Sequence, residues 1–391
     1  MKSIASRAHR TSAKVRFRSK NCTPIAGQLA SYQYDAAGRV ISLRQSTMVP
    51  TATGSTVAAL PIDTAFSYDA VGRITASTHS PVTPPSLPTN IALSAITGPT
   101  SASYSYDANG NRSQSLYQQT SATGSTLQQQ RDFTVDTQSN RLLGHTKTES
   151  TDGSQTSTAD ADYQYNAAGQ LTHTGATGLA LAYDAAGRMG QLAPATTPAQ
   201  ATRYQHNLLG QRVRKIDASQ NTIALYGEAE QGMESMALGL YNSQTATGAT
   251  EVIYLPTASG PMPIATLVKG VKYAIHSDHL NTPRRLTQTD GKVAWQWVTS
   301  AFGEVPPTTG KTRFVSPKVN PATTGTTTLA NFDLRYPGQV EDTESGLFYN
   351  HRRFYGPLEG RYLQSDPVGL AGGWNRLLYA GGDAVNNFDP D

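Results

Sequence analysis

Short runs of alternating aromatic and polar residues recur along this chain. Each run ends in a polar turn that carries a glycine. The clearest copies read Tyr32-Gln-Tyr34-Asp35-Ala-Ala-Gly38-Arg39, Phe66-Ser-Tyr68-Asp69-Ala-Val-Gly72-Arg73, Tyr104-Ser-Tyr106-Asp107-Ala-Asn-Gly110-Asn111-Arg112, Tyr163-Gln-Tyr165-Asn166-Ala-Ala-Gly169-Gln170 and Leu181-Ala-Tyr183-Asp184-Ala-Ala-Gly187-Arg188. An eroded copy spans Phe133 to Arg141, and another runs from Tyr204 to Arg212. Residues two apart on a strand share a face, so Tyr32 and Tyr34 project to the same side of a sheet. Asp35 is placed to accept a hydrogen bond from the backbone two residues on, which starts a turn. The two alanines suit the centre of a type I turn. Gly38 supplies the positive φ that would cost a Cβ-bearing residue roughly 1–2 kcal/mol. A type I turn followed by one left-handed residue makes a three-residue hairpin loop with a bulge. Arg39 then opens the return strand. The same reading applies to Asp69 and Gly72, Asp107 and Gly110, Gly169, and Asp184 and Gly187. The pattern predicts an all-β protein made of antiparallel hairpins in tandem.

The first aromatic residues of the copies stand at 32, 66, 104, 133, 163, 181 and 204, with steps of 18 to 38 residues. The shorter steps define the basic unit. The longer ones hold polar insertions, such as Thr83-Pro-Pro-Ser-Leu-Pro and the Ser/Thr/Gln-rich stretch 113–131. From Tyr226 to Tyr254 the pattern loosens, with strands expected through Val252-Ile-Tyr254 and Ile264 to Val268. Beyond about residue 270 tryptophan, histidine and arginine become frequent, and 311–331 reads as an insertion rich in Thr and Pro. Three regions are therefore expected: a basic arm over 1–27, a repeat sheet over 28–270 and a distinct C-terminal segment over 271–391.

Composition sharpens this picture. Charged residues make up 15% of the 391, against about 25% in a typical soluble domain, and Tyr (19) outnumbers Phe (9). Low charge with abundant tyrosine fits sheets whose aromatic faces stay partly wet. The formal net charge of +4 is misleading. Lys2, Arg7, Arg10, Lys14, Arg16, Arg18 and Lys20 crowd the first 20 residues without an acid; removing those 7 from 32 leaves 25 basic groups against 28 acidic ones. A body near −3 gives no general nucleic-acid surface. Cys22 is the only cysteine, so no intrachain disulfide forms. No apolar run is long enough to span a bilayer as a helix, and the basic N-terminus is followed by no apolar signal segment. Export would need another route or a larger precursor.

Candidate chemistry at the residue level is sparse. His276 and His279 flank Asp278, but two histidines without a third placed ligand read as a structural turn before they read as a metal site. No metal and no cofactor is expected. Trp295, Trp297 and Trp374 suggest either core packing or a sugar-stacking platform. Cys22 has no placed His or Asp partner, and Ser345-Gly346 lacks the flanking glycine of a hydrolase elbow.

The repeats resemble the YD repeats of Rhs proteins, Tc-toxin C subunits and teneurins. The C-terminal segment resembles the Rhs repeat-associated core. It carries His276-Ser-Asp-His279-Leu280-Asn-Thr-Pro283-Arg, Asp290-Gly291, Trp295, Ala301-Phe302-Gly303 and Arg335-Tyr336-Pro337-Gly338-Gln339. It continues with Asp342, Glu344-Ser-Gly346-Leu347, Tyr349-Asn350-His-Arg352-Arg353-Phe354-Tyr355 and Gly360-Arg361-Tyr362. Ser365-Asp366-Pro367-Val-Gly369-Leu370, Gly373-Trp374-Asn375, Tyr379 and Asn386-Asn387-Phe388-Asp389-Pro390-Asp391 complete it. The resemblance implies a spiralling hollow β-shell with the core at its C-terminal end. It also implies a variable toxin that follows the core, is cut from it and stays enclosed until delivery by a secretion apparatus. Full-length relatives are secreted or displayed at the cell surface. The resemblance assigns self-cleavage to Asp366 and Asp389, the two Asp-Pro aspartates, with Arg353 upstream. Two carboxylates held close do not both ionise easily, so one serves as acid while the other activates water. The competing reading makes the Asp-Pro pairs turn openings and Arg353 a structural ion pair. Two departures stand out. The repeats are few, which points to an open sheet or partial shell. The chain stops at Asp391, before the family's Gly and Leu at the cleavage point, which points to a truncated remnant or fragment that does not cut itself. A surface carbohydrate-binding or adhesive module is a further alternative.

Overall fold

The computed structural model describes residues 30–54, 56–82, 86–176, 178–218, 221–228, 232–243, 249–310, 314–315 and 330–389, without the side chains of 160 and 161. The expected basic arm, Cys22, most of the 311–331 insertion and Asp391 lie outside the described residues.

Nearly all the described chain is antiparallel β-structure in three sheets. The first holds nine strands, from Ser31–Tyr34 to Ser154–Ala161. The second holds fourteen, from Tyr163–Tyr165 to Thr308–Thr309. The third holds four, from Gln339–Asp342 to Arg361–Tyr362. In every sheet each strand bonds to its neighbour in sequence, and none of the sheets closes into a barrel. The second sheet runs on across residue 270, where Met262–Val268 pairs with Val271–Ser277.

The turns account for this topology. Asp35 Oδ1 accepts from the backbone N–H groups of Ala37 and Arg39, both at 2.9 Å, and Gly38 N–H donates to the Asp35 carbonyl at 3.0 Å. Gly38 has φ +80°, and the strand register slips by one residue between Gln33 and Tyr34. The extra residue is a bulge, which bends the ribbon and raises its twist. The same slip recurs at Tyr68, Tyr106, Val135, Tyr165, Tyr183 and His206. It then continues at Tyr226, Tyr254, Ser277 and Thr287, where the sequence pattern had faded. At Ser277 the turn aspartate is Asp278, whose Oδ1 accepts from Leu280 and Thr282 N–H, and Asn281 at φ +67° stands in the glycine position. Asparagine tolerates that conformation better than most residues, so the repeat persists without its glycine.

Successive turns are tied along one sheet edge. Arg73 stacks over the Tyr106 ring at 4.6 Å and donates through Nη1 to the Asp107 carbonyl at 3.2 Å. Tyr106 returns its hydroxyl to the Ile74 carbonyl at 2.7 Å. Tyr165 and Tyr183 make the same return bond to Leu142 and Leu171.

The third sheet and its flanks pack against the inward faces of both larger sheets. One cluster joins Val40, Phe66, Ile74 and Tyr104 of the first sheet to Leu286 and Trp295 of the second, through Tyr336, Tyr355, Tyr362 and Tyr379. A second packs Leu171, Leu181, Met189 and Tyr204 against Leu347, Tyr349 and Phe354. Polar ties cross the same boundary: Val40 N–H donates to Asn386 Oδ1 at 2.8 Å and Arg112 Nη1 to the Leu358 carbonyl at 3.0 Å.

Candidate active site

The strands Leu347–Asn350 and Arg353–Gly356 meet in a two-residue reversal, with Asn350 opposite Arg353 and His351 at φ +48°. The reversal holds Arg353 in the sheet interior, with its side chain 3% exposed. Asp366 follows the strand Arg361–Tyr362 and opens a turn: its Oδ1 accepts from Val368 N–H at 2.9 Å, and its carbonyl accepts from Gly369 N–H at 3.0 Å. Gly372 lies against this carboxylate; a Cβ there would stand 2.6 Å from Asp366 Oδ2, so the backbone approach needs glycine.

The three residues singled out in the sequence converge here. Arg353 Nη1 donates to Asp366 Oδ2 at 2.9 Å, and Nη2 donates to Asp389 Oδ2 at 2.8 Å. One guanidinium thus offers one arm to each carboxylate, whose side chains are 13% and 26% exposed. The Tyr362 ring lies under the guanidinium, 3.8 Å from Arg353 Cζ, and the Tyr362 hydroxyl reaches Asp389 Oδ2 at 3.1 Å. Asn350 Nδ2 donates to that hydroxyl at 2.5 Å and to the Asp389 carbonyl at 3.0 Å. Tyr362 and Asn350 were present in the sequence motif without a role; their proximity to Asp389 is created only by the sheet. The group borders a cleft of about 1350 Å³, walled on the far side by Asn207, Leu209, Gln211 and Tyr226 of the second sheet.

Chemically, the cluster offers two carboxyls on one side of a cleft with a fixed cation between them. The arrangement suits acid–base work on a segment lying in the cleft. It also refines the shared-proton argument made from sequence, because Arg353 stands between the aspartates and offsets their mutual repulsion.

The other candidates separate. His276 Nε2 lies 2.9 Å from Thr287 Oγ1, whereas His279 Nε2 lies 2.8 Å from the Val385 carbonyl and its ring packs against Tyr32. Asp278 is engaged by its own turn and by Arg284 Nε at 2.8 Å. Among the described residues no group of three or more His, Cys, Asp or Glu side chains is gathered to hold a metal. The sugar-stacking platform is overturned. Trp295 and Trp297 are 1% and 0% exposed, packed on Phe332 and on Tyr336 and Phe348, and only Trp374 of the three faces solvent. Indole rings buried between layers offer no face to a glycan. Ser345 takes part in a turn, its Oγ accepting from Leu347 N–H at 3.2 Å. Among the described residues no helix is long and apolar enough to cross a membrane.

The fold resembles solved toxin complexes. A structure of TcdB2–TccC3 superposes with a TM-score of 0.56 and 16% identity, covering 93% of this chain and 18% of that one. In sequence the chain is 29% identical over 259 residues to Toxin protein Tse5 of Pseudomonas aeruginosa, covering 58% of this chain and 18% of that protein. It is 34% identical over 105 residues to Probable deoxyribonuclease RhsB of Dickeya dadantii, covering 27% and 6%. The chain is an Rhs-related protein. This Rhs-related chain thus spans under a fifth of the length of each of these two relatives. No family model matches it.

Proposed function

We propose that this chain is a wall segment of a toxin-enclosing β-shell, with a C-terminal toxin as its cargo. The observation that carries the reading is the placement of residues 335–389 against the inward faces of both large sheets. A segment so placed delivers whatever follows it to the inside of the wall. Containment is then a matter of geometry: the sequential hairpins form a continuous wall, and the bulges bend it. Hydrogen exchange tests this. A small reporter domain fused after Asp391 is expected to slow exchange on inward-facing strands such as Thr202–His206, and to leave the solvent-facing turn edges unchanged. An exchange pattern identical with and without the fusion would remove the reading.

A second reading, self-cleavage in cis, is favoured by the Arg353–Asp366–Asp389 geometry. A water held in the cleft would add its oxygen to the carbonyl carbon of a downstream peptide bond. One aspartate takes the water proton while the other, protonated, gives its proton to the leaving nitrogen, so the C–N bond breaks to a carboxylate and an amine. The Arg353 cation would steady the negative charge that develops between them. A fusion in which Gly-Leu and a reporter follow Asp391 is expected to be cut once, and Asp366→Asn or Asp389→Asn is expected to block the cut. An intact wild-type fusion, with the substitutions making no difference, would end the reading.

A further inference from the structure

Asp389 belongs to no strand or helix, so its position depends on side-chain grips. Three of these come from the third sheet: Arg353 Nη2 and the Tyr362 hydroxyl hold Oδ2, and Asn350 Nδ2 holds the main-chain carbonyl. Asn350 also decides which way the phenol points. Its amide hydrogen occupies the Tyr362 oxygen at 2.5 Å, and a phenol has a single proton, so that proton turns toward Asp389 Oδ2. Burial, with the Asp389 charge behind it, pushes the Tyr362 phenol well above its ordinary range. The hydroxyl therefore stays a donor at every pH where a carboxylate works.

We infer that Tyr362 and Asn350 are positioning residues for Asp389, an inference that rests on the self-cleavage reading above. Asn350 orients the Tyr362 hydroxyl, and Tyr362 orients the Asp389 carboxylate from the side opposite the cleft. Neither lines the cleft. Their action is on how firmly one carboxyl is held and on the pH at which it gains a proton. Arg353 and Tyr379 also act on Asp389 electrostatically, and Asp366, Glu228, Glu234, His351 and Arg352 line the cleft. None of these groups is altered by the test below.

Tyr362→Phe keeps the ring under Arg353 and removes only the hydroxyl; Asn350→Ala releases the same grip from its other end. In the full chain with carboxyl-labelled aspartate, the Asp389 carbon signal is identified by its loss in Asp389→Asn. Its titration is expected to move up by a pH unit or more in Tyr362→Phe, and in the same direction in Asn350→Ala. In the Gly-Leu reporter fusion, both substitutions are expected to slow cutting at least tenfold and to shift the acidic limb of the pH–rate profile upward. A wild-type fusion that cuts, beside a Tyr362→Phe fusion with the same rate and profile, overturns the inference and leaves self-cleavage standing. A wild-type fusion that is never cut overturns both. An unmoved Asp389 titration in Tyr362→Phe overturns the inference whatever the fusion does.

Discussion

The Arg39 guanidinium lies 4.7 Å from the centre of the Tyr68 ring, one repeat further along the chain, and Tyr68 returns its hydroxyl to the Val40 carbonyl at 2.6 Å. Arg39 is also held by its own turn, with Nε 2.7 Å from Asp35 Oδ2. Arg39 and Arg73 are thus each fixed by their own turn and present their planar face to the tyrosine of the next repeat.

This arrangement makes the arginine hard to replace. Lysine keeps the charge but loses both the fork to Asp35 and the flat stacking surface. Arg39→Lys is expected to destabilise the chain by about 1 kcal/mol, the scale of one partly exposed cation–π contact. Tyr68→Phe is expected to cost a similar amount, about 1 kcal/mol for the lost hydroxyl bond. Urea unfolding read by tyrosine fluorescence checks both, and midpoints equal to wild type would show that the edge ties contribute nothing.

Two glycine substitutions separate backbone strain from crowding. Gly38 at φ +80° has open space where a Cβ would stand, so Gly38→Ala is expected to cost about 1–2 kcal/mol from conformation alone. Gly187 has nearly the same φ, but its Cβ would stand 2.8 Å from Gln170 Nε2, which donates to the Gly187 carbonyl. Gly187→Ala is therefore expected to be the more damaging of the two. Equal unfolding midpoints would show that the Gln170 contact is not used.

Asp342 anchors the third sheet to the second. It is fully buried and accepts from Arg212 Nη1 at 2.6 Å and from the Tyr204 hydroxyl at 2.8 Å. Burial alone would raise its carboxyl, but the charges of Arg212 and Lys215 outweigh burial and hold it below the ordinary range. Its ionised form supports the fold above the unfolded value of about 4, and that support is lost as pH falls through the lower folded value. Asp342→Asn leaves Arg212 buried without its carboxylate and is expected to cost about 3–5 kcal/mol at neutral pH. Thermal unfolding near that of wild type would contradict the anchoring role.

Asp383 titrates in the opposite sense. Burial pushes its carboxyl up to about 6, although Asn386 donates to it through both backbone and side chain. A folded value above the unfolded one means that the native state binds the proton more tightly. Stability should therefore fall as pH rises from about 4 to about 6, by at most about 1.4 kcal/mol per unit from this group, and then level off. Asp383→Asn is expected to flatten that slope. An unchanged slope in denaturation curves taken across this range would assign it to another group.

Much of the architecture was legible in the sequence, because hairpins are local. Asp35 and Gly38 lie three residues apart, and the turn they make needs no partner from elsewhere. The alternating aromatics and the recurring turn were enough to predict tandem hairpins, and the C-terminal motif was enough to bring Arg353, Asp366 and Asp389 together as candidates. The faded repeat pattern did not reveal the later bulges at Tyr226, Tyr254 and Ser277: Asn281 stands in the glycine position after Ser277, and Gly260 closes the turn after Tyr254 without the Tyr-Asp signature, whereas Asp290-Gly291 does mark the reversal after Thr287. Nor did it decide which way Trp295 and Trp297 face. Alternation marks a strand's two faces but does not say which face another layer will cover. The same limit hid Tyr362 and Asn350, whose meeting with Asp389 depends on strands folded against one another. Short-range turn geometry is written in neighbouring residues; burial and convergence belong to the packed sheets, where distant segments become neighbours.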